Sequence, residues 1–290
     1  MKRAAGIGYA AALLLLVSSA EAVGADKSQY WLFNPTPDRL LREMTTDRPD
    51  ITESPFTVDA GHVQFETTLV GYTRSAPDQA HTITDEFEFA TTNMRIGITN
   101  SAELSLVWQP YGTARVRQTD PLNTFHQSGI GGLNVRGKFN LWGNDTFEKP
   151  GASALALLPF VSLPTDRHNG ISPEFVAGGI IVPLAIKLSD KWEVAVNGGL
   201  VHLREDAESS YHTEYLASAS FSYEWSEKLG SYYEVAGRFN TDNSRGDAVV
   251  LGTGFTYKLT NNLQLDAGVN IGVTPAADRI NPFVGVSARF

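Results

Sequence analysis

The sequence predicts an all-β protein, a transmembrane antiparallel up-and-down β-barrel of about twelve strands, preceded by a segment that is periplasmic or plugs the lumen. Three observations predict this fold: an N-terminus of the export type, repeated alternation of apolar and polar residues, and an aromatic residue, Phe290, at the C-terminus. Barrels of the bacterial outer membrane combine these features.

The C-terminal residues alternate strictly in polarity. One side of residues 282–290 is apolar and carries Val284, Val286, Ala288 and Phe290. A period of two is the side-chain period of a β-strand. An apolar strand face that ends in an aromatic residue is typical of the closing strand of such a barrel. We therefore expect Phe290 to be the contact for the barrel-assembly machinery.

The N-terminus has the layout of a secretory signal peptide. Lys2 and Arg3 precede an apolar stretch over residues 4–17, and small residues follow at 20–25. The stretch is shorter than the ~20 residues of a membrane-spanning helix, which disfavours the alternative of an anchor. We expect residues 1–22 to be a cleaved signal peptide, with cleavage after residue 25 as the alternative. The sequence has no cysteine, so it offers no disulfide, thiolate or lipoprotein anchor.

Composition excludes other classes of protein. A hydrophobic content of 42% and a mean hydropathy of −0.16 are too low for a polytopic helical membrane protein. The formal net charge of −9 disfavours a nucleic-acid partner, which usually requires a basic surface. We expect a cell outer-membrane protein whose partners are membrane lipid, lipopolysaccharide and a small-molecule solute.

Residues 61–290 form the predicted barrel, in which short polar turns alternate with longer polar connections. One of the longer connections is predicted near residues 118–127. The segments 87–89 and 94–98 have opposite parity, which predicts a bulge within a single strand. Aromatic residues near the short turns have outward parity and are candidates for a periplasmic aromatic girdle: Trp142, Trp192, Trp225, Tyr257 and Phe290.

Residues 26–60 differ from the rest of the chain. They contain four prolines and little alternation, which disfavours strand pairing. We interpret them as a periplasmic or plug segment. Its charged residues form either an ion-pair network that fixes the segment to the barrel wall or a constriction that screens solutes. These candidate plug residues are Asp47, Arg48, Asp50 and Glu53.

Several motifs carry a resemblance to a known family. Residues 46–56 read TDRPDITESPF and residues 59–66 read DAGHVQFE, and LPFV, LPT and GGIIVP follow at 158–161, 163–165 and 178–183. In these motifs the chain resembles the outer-membrane transporter family that is grouped, by name, with phenol-degradation meta-pathway proteins. The resemblance implies a signal peptide, a barrel and transport.

Polar residues of inward parity define a predicted lumen of mixed charge. A lumen with both signs either holds water or is closed by its own salt bridges, and at about twelve strands it is narrow or plugged. The principal candidates are Gln64, Glu66, Arg95, Arg136, Lys138, Glu234, Arg238, Lys258 and Asp266, and the same parity holds for His62, Glu193, Asn197, Glu224 and Arg289.

Two predicted strands, residues 152–164 and 173–188, are apolar on both faces. In one register Leu155 and Leu157 face the lumen, and in the other Phe175 and Ile181 do. Prolines in these strands weaken the hydrogen-bond ladder. We predict an apolar seam at Pro159, Phe175, Ile181 and Pro183. This seam has two interpretations. In the first, hydrophobic solutes bind at the seam and leave sideways into the membrane. In the second, the apolar face packs against residues 26–60.

The function that follows is a non-enzymatic outer-membrane channel for passive passage of small solutes, including hydrophobic or aromatic ones. The alternatives are an outer-membrane lipid-modifying hydrolase and a structural barrel with a closed lumen. A hydrolase requires a serine next to a histidine at the rim, and no spacing in the sequence indicates such a pair. No catalytic residue, cofactor or metal site is predicted.

Overall fold

The computed structural model describes residues 26–78, 81–119, 122–204, 210–241 and 246–290. The predicted signal peptide, with its alternative cleavage after residue 25, lies outside these residues. The described part contains one 3₁₀ turn, Asp38–Leu40, and the strand segments β1 Val63–Arg74, β2 Ile83–Thr99, β3 Ala102–Trp108, β4 Tyr111–Thr119, β5 Leu122–Gly129, β6 Leu133–Trp142, β7 Ser153–Leu163, β8 Ala177–Lys187, β9 Trp192–Leu203, β10 His212–Glu224, β11 Leu229–Asn240, β12 Ala248–Thr260, β13 Leu263–Gly272 and β14 Ile280–Arg289.

The strands form one closed antiparallel sheet. β1 pairs with both β2 and β14, and β2 pairs with β3 along Thr92–Thr99 and with β4 along Ile83–Phe89. β3 and β4 are therefore two halves of one wall strand, interrupted at Gln109 and Pro110. β5 and β6 are likewise interrupted at residues 130–132. The ring has twelve strands, which confirms the predicted barrel.

The predicted connection at residues 118–127 is wrong, because most of it belongs to the hairpin of β4 and β5. This hairpin extends the wall past the breaks at Pro110 and at residues 130–132. Both of its faces are polar, since alternation of apolar residues is required only at the depth of the membrane. The absence of that alternation was the reason for predicting a loop.

The outer surface of the barrel is apolar. Outward side chains such as Leu251, Phe255 and Ile271 are half exposed, although they are large and hydrophobic. A soluble monomer rarely exposes a contiguous apolar surface of this extent, so the surface suits lipid. The girdle candidates are also exposed, and Trp192, Tyr223 and Trp225 pack in a row with ring centroids 4.6 and 4.9 Å apart. No helix among the described residues is long and apolar enough to cross a bilayer.

The predicted bulge lies in β2. Ala90 has a left-handed backbone with φ 54°, and β2 continues through it to Thr99. Phe87 and Phe89 can therefore share the outward face although Arg95, in the same strand, faces inward. The pairing of β1 with β14 shifts at the same level, between Thr68 and Val70.

Residues 26–60, here called the lumen segment, run inside the barrel. Trp31 bridges Thr99 at the end of β2, and the segment returns to the wall where Gly61 precedes β1. Its backbone approaches β2 so closely that a Cβ at Gly97 would lie 2.1 Å from the carbonyl oxygen of Asp59. Glycine at position 97 is therefore required for this path.

Candidate functional site

The centre of the lumen is a buried ion network around Arg95 of β2. Its guanidinium lies 2.8 Å from Glu66 of β1 and 2.9 Å from Glu103 of β3. The same group lies 3.4 Å from Asp47 and donates a 2.7 Å hydrogen bond to the carbonyl oxygen of Phe56. Arg95 therefore joins two wall strands to two points of the lumen segment.

The adjacent strand β6 supplies two further cations. The Lys138 ammonium lies 2.5 Å from Asp47, and Arg136 lies 2.5 Å from Glu53. Burial tends to raise the pKa of Asp47, but Arg95 and Lys138 outweigh burial and hold it below the ordinary value. Asp47 is therefore an anion at neutral pH. Burial raises the pKa of Glu53, although the charge of Arg136 opposes this effect.

Arg48 binds the wall on the other side of β1, at β13. It donates two hydrogen bonds to the carboxylate of Asp266 in β13, at 2.6 and 3.3 Å, and a further one to Thr68. Bidentate arginine–carboxylate pairs are among the strong hydrogen-bonded contacts of proteins. A Cβ at Gly285 would lie 2.2 Å from this guanidinium, so glycine in β14 makes room for it.

Glu234 of β11 accepts hydrogen bonds from the top of the lumen segment. The backbone N–H groups of Ile51 and Thr52 donate at 3.0 and 2.7 Å, and the Thr52 hydroxyl donates at 2.5 Å. The hydroxyl oxygen of Ser218 in β10 lies 2.8 Å from that of Thr52, within hydrogen-bond distance. Asp50 directly precedes Ile51 in this part of the lumen segment. Burial and the negative charge of Glu234 together raise the pKa of the Asp50 carboxyl well above its ordinary value.

The periplasmic end of the lumen segment is held by Asp59. Its carboxylate lies 3.2 Å from Arg42, 3.4 Å from Arg289 of β14 and 3.6 Å from Lys27. Asp59 is almost fully buried, so it depends on these three cations.

The long connection at residues 143–150 holds the same end from the other side. Asn144 accepts a hydrogen bond from the backbone N–H of Thr57, and the ring of Phe147 packs on Phe56 with centroids 4.9 Å apart. Asp145 accepts hydrogen bonds from Lys27 and from Asn100. Burial opposes the ionisation of Asp145, but these hydrogen bonds outweigh it and lower its pKa.

The predicted lumen residues all lie on the inner wall, and eight of the nine principal ones contact the lumen segment. Arg238 is the exception, because its side chain is 65% exposed in the outer half of the lumen, 3.9 Å from Glu214. The contacts not yet described are those of Gln64 with the carbonyl of Thr45, of Glu66 with the N–H of Asp47 and of Lys258 with Glu43. Of the other candidates, Asn197 bonds Glu53, His62 bonds Thr36, and Glu193 and Glu224 line a cavity.

Glu103 is a site residue that the sequence analysis missed. It is 2% exposed, contacts Arg95, and accepts a 2.7 Å hydrogen bond from the backbone N–H of Val58. Position 103 lies at the start of β3, directly after the short polar turn that follows β2. Its parity in the alternating pattern matches that of the inward-facing Ser105, and this parity identifies Glu103 as a lumen residue.

Two cavities remain around the lumen segment. One, of about 730 Å³, lies between residues 39–56 and the inner faces of β9–β13. The other, of about 830 Å³, lies at the periplasmic rim between the 3₁₀ turn and Arg289. The lumen segment thus occupies the lumen without filling it.

The inner face of β7 and β8 is apolar, as predicted, but its members differ. Arg136 faces the lumen and pairs with Phe160. Phe160 and Leu158 therefore face the lumen as well, whereas Pro159 faces outward. Leu155 and Leu157 face outward by the same register. Ile181 and Pro183 face the lumen. The lower part of this apolar stripe is covered by Phe56, which packs on Ala154 and Ala185.

The placement of Phe175 in the seam is wrong. Phe175 lies in the connection between β7 and β8, and its ring lies 4.3 Å from the Arg204 guanidinium. β8 begins only at Ala177. The side chain of Asn169 accepts hydrogen bonds from the backbone N–H groups of Ile171 and Ser172, which competes with a strand ladder.

The ladder is nevertheless interrupted at both prolines. The pairing of β6 with β7 omits the pair opposite Pro159, and the pairing of β7 with β8 omits the pair opposite Pro183. Proline has no N–H to donate, which explains both gaps.

Two of the described histidines, His62 and His202, contact backbone or threonine oxygens. His62 bonds carbonyl oxygens of Thr36 and Phe290, and the ring of His202 lies 3.3 Å from the Thr213 hydroxyl. Among the described residues no group of three or more histidines and carboxylates is arranged to hold a metal ion.

A closed twelve-stranded barrel with an apolar outer wall and a charged inner wall defines the class of outer-membrane β-barrel proteins. Residues 46–290 match the family described as "Putative MetA-pathway of phenol degradation". The chain belongs to this family, as its motifs predicted.

One solved outer-membrane channel has a similar fold. The COG4313 outer membrane channel from Pseudomonas putida F1 matches with a TM-score of 0.61 and 12% identity, over 85% of this chain and 100% of that one. The translocator domain of the autotransporter NalP from Neisseria meningitidis matches with a TM-score of 0.48 and 11% identity, over 79% and 88% of the two chains. At these identities the similarity concerns the fold alone. No curated protein matches this chain.

Proposed function

We propose that the protein is an outer-membrane channel for passive passage of small solutes, and that the lumen segment determines how open the channel is. The observation that carries the proposal is the position of this segment, which contacts eight of the nine principal lumen residues and leaves cavities of about 730 and 830 Å³ beside it. Membership of the family and a fold shared with an outer membrane channel support the same function.

The chemistry of the contacts supports a segment that can move. Asp47, Arg48 and Glu53 are held by charged and polar groups, which water can replace in an aqueous lumen. An apolar contact has no such substitute, since water does not replace packed hydrocarbon. The charged part of the lumen segment is therefore suited to exchange between a docked and a hydrated state.

The apolar stripe supports small hydrophobic or aromatic solutes as one class of cargo. Phe160 and Ile181 face the lumen and are partly exposed above the point where Phe56 covers the wall, whereas Leu158 between them is buried. Apolar pockets with few polar groups favour such ligands. The interrupted ladder at Pro159 and Pro183 makes this part of the wall the candidate for a sideways exit.

Neither alternative function has a comparable observation in its favour. A lipid-modifying hydrolase requires an activated nucleophile, and the histidines described above bond carbonyl groups or a threonine. A permanently closed structural barrel has no need of cavities beside its lumen segment. We therefore propose a protein without enzymatic activity.

The test uses the absence of cysteine from the chain. The hydroxyl oxygens of Thr52 and Ser218 lie 2.8 Å apart, so Thr52→Cys with Ser218→Cys places two thiols within reach of a disulfide. Uptake of a neutral aromatic alcohol and of a sugar of similar mass is measured in liposomes, before and after reduction. We expect slow uptake in the oxidised protein and normal uptake after reduction.

The two single-cysteine variants are matched controls and should be insensitive to reduction. A variant without residues 26–60 should pass both solutes faster than the complete protein. Equal uptake by the oxidised and reduced forms would exclude gating by the lumen segment. No uptake by the variant without residues 26–60, when correctly folded, would exclude the channel itself.

A further inference from the structure

A second charged cluster lies on the outside of the barrel wall, at the end of β1, β2 and β4. The carboxylate of Asp85 lies 2.5 Å from the Arg117 guanidinium and 3.6 Å from that of Arg74. It also accepts a 2.6 Å hydrogen bond from the Tyr72 hydroxyl. None of these groups contacts the lumen segment.

The register shows that this cluster faces outward. Arg74 pairs with Asp85 on one side and with Ile280 on the other. Ile280 belongs to the exposed apolar face of β14, whereas Phe283, of opposite parity, is buried in the lumen. Arg74 therefore projects from the lipid-facing surface.

The height of the cluster matches the outer boundary of the membrane. Phe65, which packs on Phe290 at the periplasmic end, precedes Arg74 by about 30 Å of extended strand. At a tilt of about 40° this corresponds to about 23 Å along the membrane normal, close to the ~25 Å apolar band of such barrels. Tyr72 and Phe87 pack together just below, with centroids 5.0 Å apart.

The cluster lines an open cavity of about 720 Å³ that is also lined by Arg115. Three arginines and one carboxylate give it a formal charge of +2, although the whole chain carries −9. The Nε of Arg117 is buried and has no hydrogen-bond partner among the described residues. A buried guanidinium N–H without a partner is costly, and an anionic oxygen would satisfy it.

We propose that this cavity binds the phosphorylated saccharide headgroup of outer-leaflet lipopolysaccharide. Arginine suits phosphate because its planar N–H groups donate bidentately. Asp85 fixes Arg74 and Arg117 in place, which leaves Arg115 and the exposed part of the Arg117 side chain for the ligand. The acyl chains of the lipid lie along the apolar surface below, which distinguishes this ligand from a soluble anion.

The experiment measures binding of bisphosphorylated lipid A to the refolded, detergent-solubilised protein by native mass spectrometry. The variant Arg74→Gln, Arg115→Gln, Arg117→Gln is compared with the wild type and with Arg238→Gln, which removes an exposed arginine from the lumen side instead. Heat-modifiable gel mobility verifies that each barrel is folded. Dephosphorylated lipid A and inorganic phosphate are the ligand controls.

We expect the triple variant to bind lipid A at least tenfold more weakly, while Arg238→Gln binds as the wild type does. Dephosphorylated lipid A should bind the wild type as weakly as lipid A binds the triple variant. Equal binding by the wild type and the triple variant would overturn the proposal. Displacement of lipid A by millimolar inorganic phosphate would also overturn it, because the site would then be one for soluble anions.

Discussion

Replacing Arg95 by methionine should release the lumen segment from the barrel wall. Arg95 is fully buried and forms ion pairs with Glu66, Glu103 and Asp47, at 2.8, 2.9 and 3.4 Å. Without Arg95, the Lys138 ammonium still forms ion pairs with Asp47 and Glu103, but the Glu66 carboxylate is left without a cation. Methionine is long enough to fill part of the space, so the main effect is the uncompensated charge.

Removing one partner of a buried ion pair typically costs about 3–5 kcal/mol. One factor of ten corresponds to about 1.4 kcal/mol, so the docked state should become about 10²- to 4 × 10³-fold less favoured. The double variant Arg95→Met, Glu66→Gln should recover much of this loss, because it removes the uncompensated carboxylate as well.

Hydrogen exchange of the amides of residues 45–58, together with single-channel conductance, measures the effect. We expect faster exchange and higher conductance for Arg95→Met, and values closer to the wild type for the double variant. Arg238→Met, in which a lumen arginine without contact to the lumen segment is removed, is the matched control. Unchanged exchange in Arg95→Met would refute the idea that this ion network holds the segment.

Three further predictions concern other parts of the site. Arg48→Met and Asp266→Asn should each weaken docking, and a double-mutant cycle on exchange rates should give a coupling of about 1.5–3 kcal/mol; additive effects would contradict a direct pair. The raised pKa of Asp50 means that the docked segment binds a proton more strongly than the free one, so docking should weaken as pH rises from about 4 through the raised pKa. Conductance should therefore increase with pH in this range, and a similar increase in Asp50→Asn would contradict this assignment. Replacing Pro159 and Pro183 by valine should restore ladder donors and slow uptake of aromatic but not of polar solutes; equal effects on both classes would exclude the sideways route.

The sequence was sufficient to predict the wall because alternation is a local property. Each strand at membrane depth must place apolar residues outward, so residues such as Glu66 and Asp266 can be assigned to the lumen from parity alone. Where the wall leaves the membrane this requirement ends. The hairpin of β4 and β5 therefore has no apolar face and was predicted to be a loop.

The contacts of the lumen could not be predicted in the same way. Arg95 and Phe56 are separated by 39 residues, and Arg48 and Asp266 by 218, so their pairing depends on the closure of the barrel. Parity shows which side chains enter the lumen but not their height along the strand. The orientation of Pro159 depended on the register between β6 and β7, for which a strand that is apolar on both faces contains no signal.

The two kinds of contact indicate which part of the lumen segment can move. Near its return to the wall, Phe56 packs on Phe147, Ala154 and Ala185, and Asp59 is enclosed by three cations. Residues 45–54 are held mainly by ion pairs and hydrogen bonds to seven different strands, and Arg48 also lies over the ring of Phe283. Hydration can offset the loss of these polar contacts, whereas exposure of Phe56 to water costs about 25 cal/mol for each Å² of apolar surface. Opening should therefore consist of a movement of residues 45–54 about an anchored end at Phe56 and Asp59.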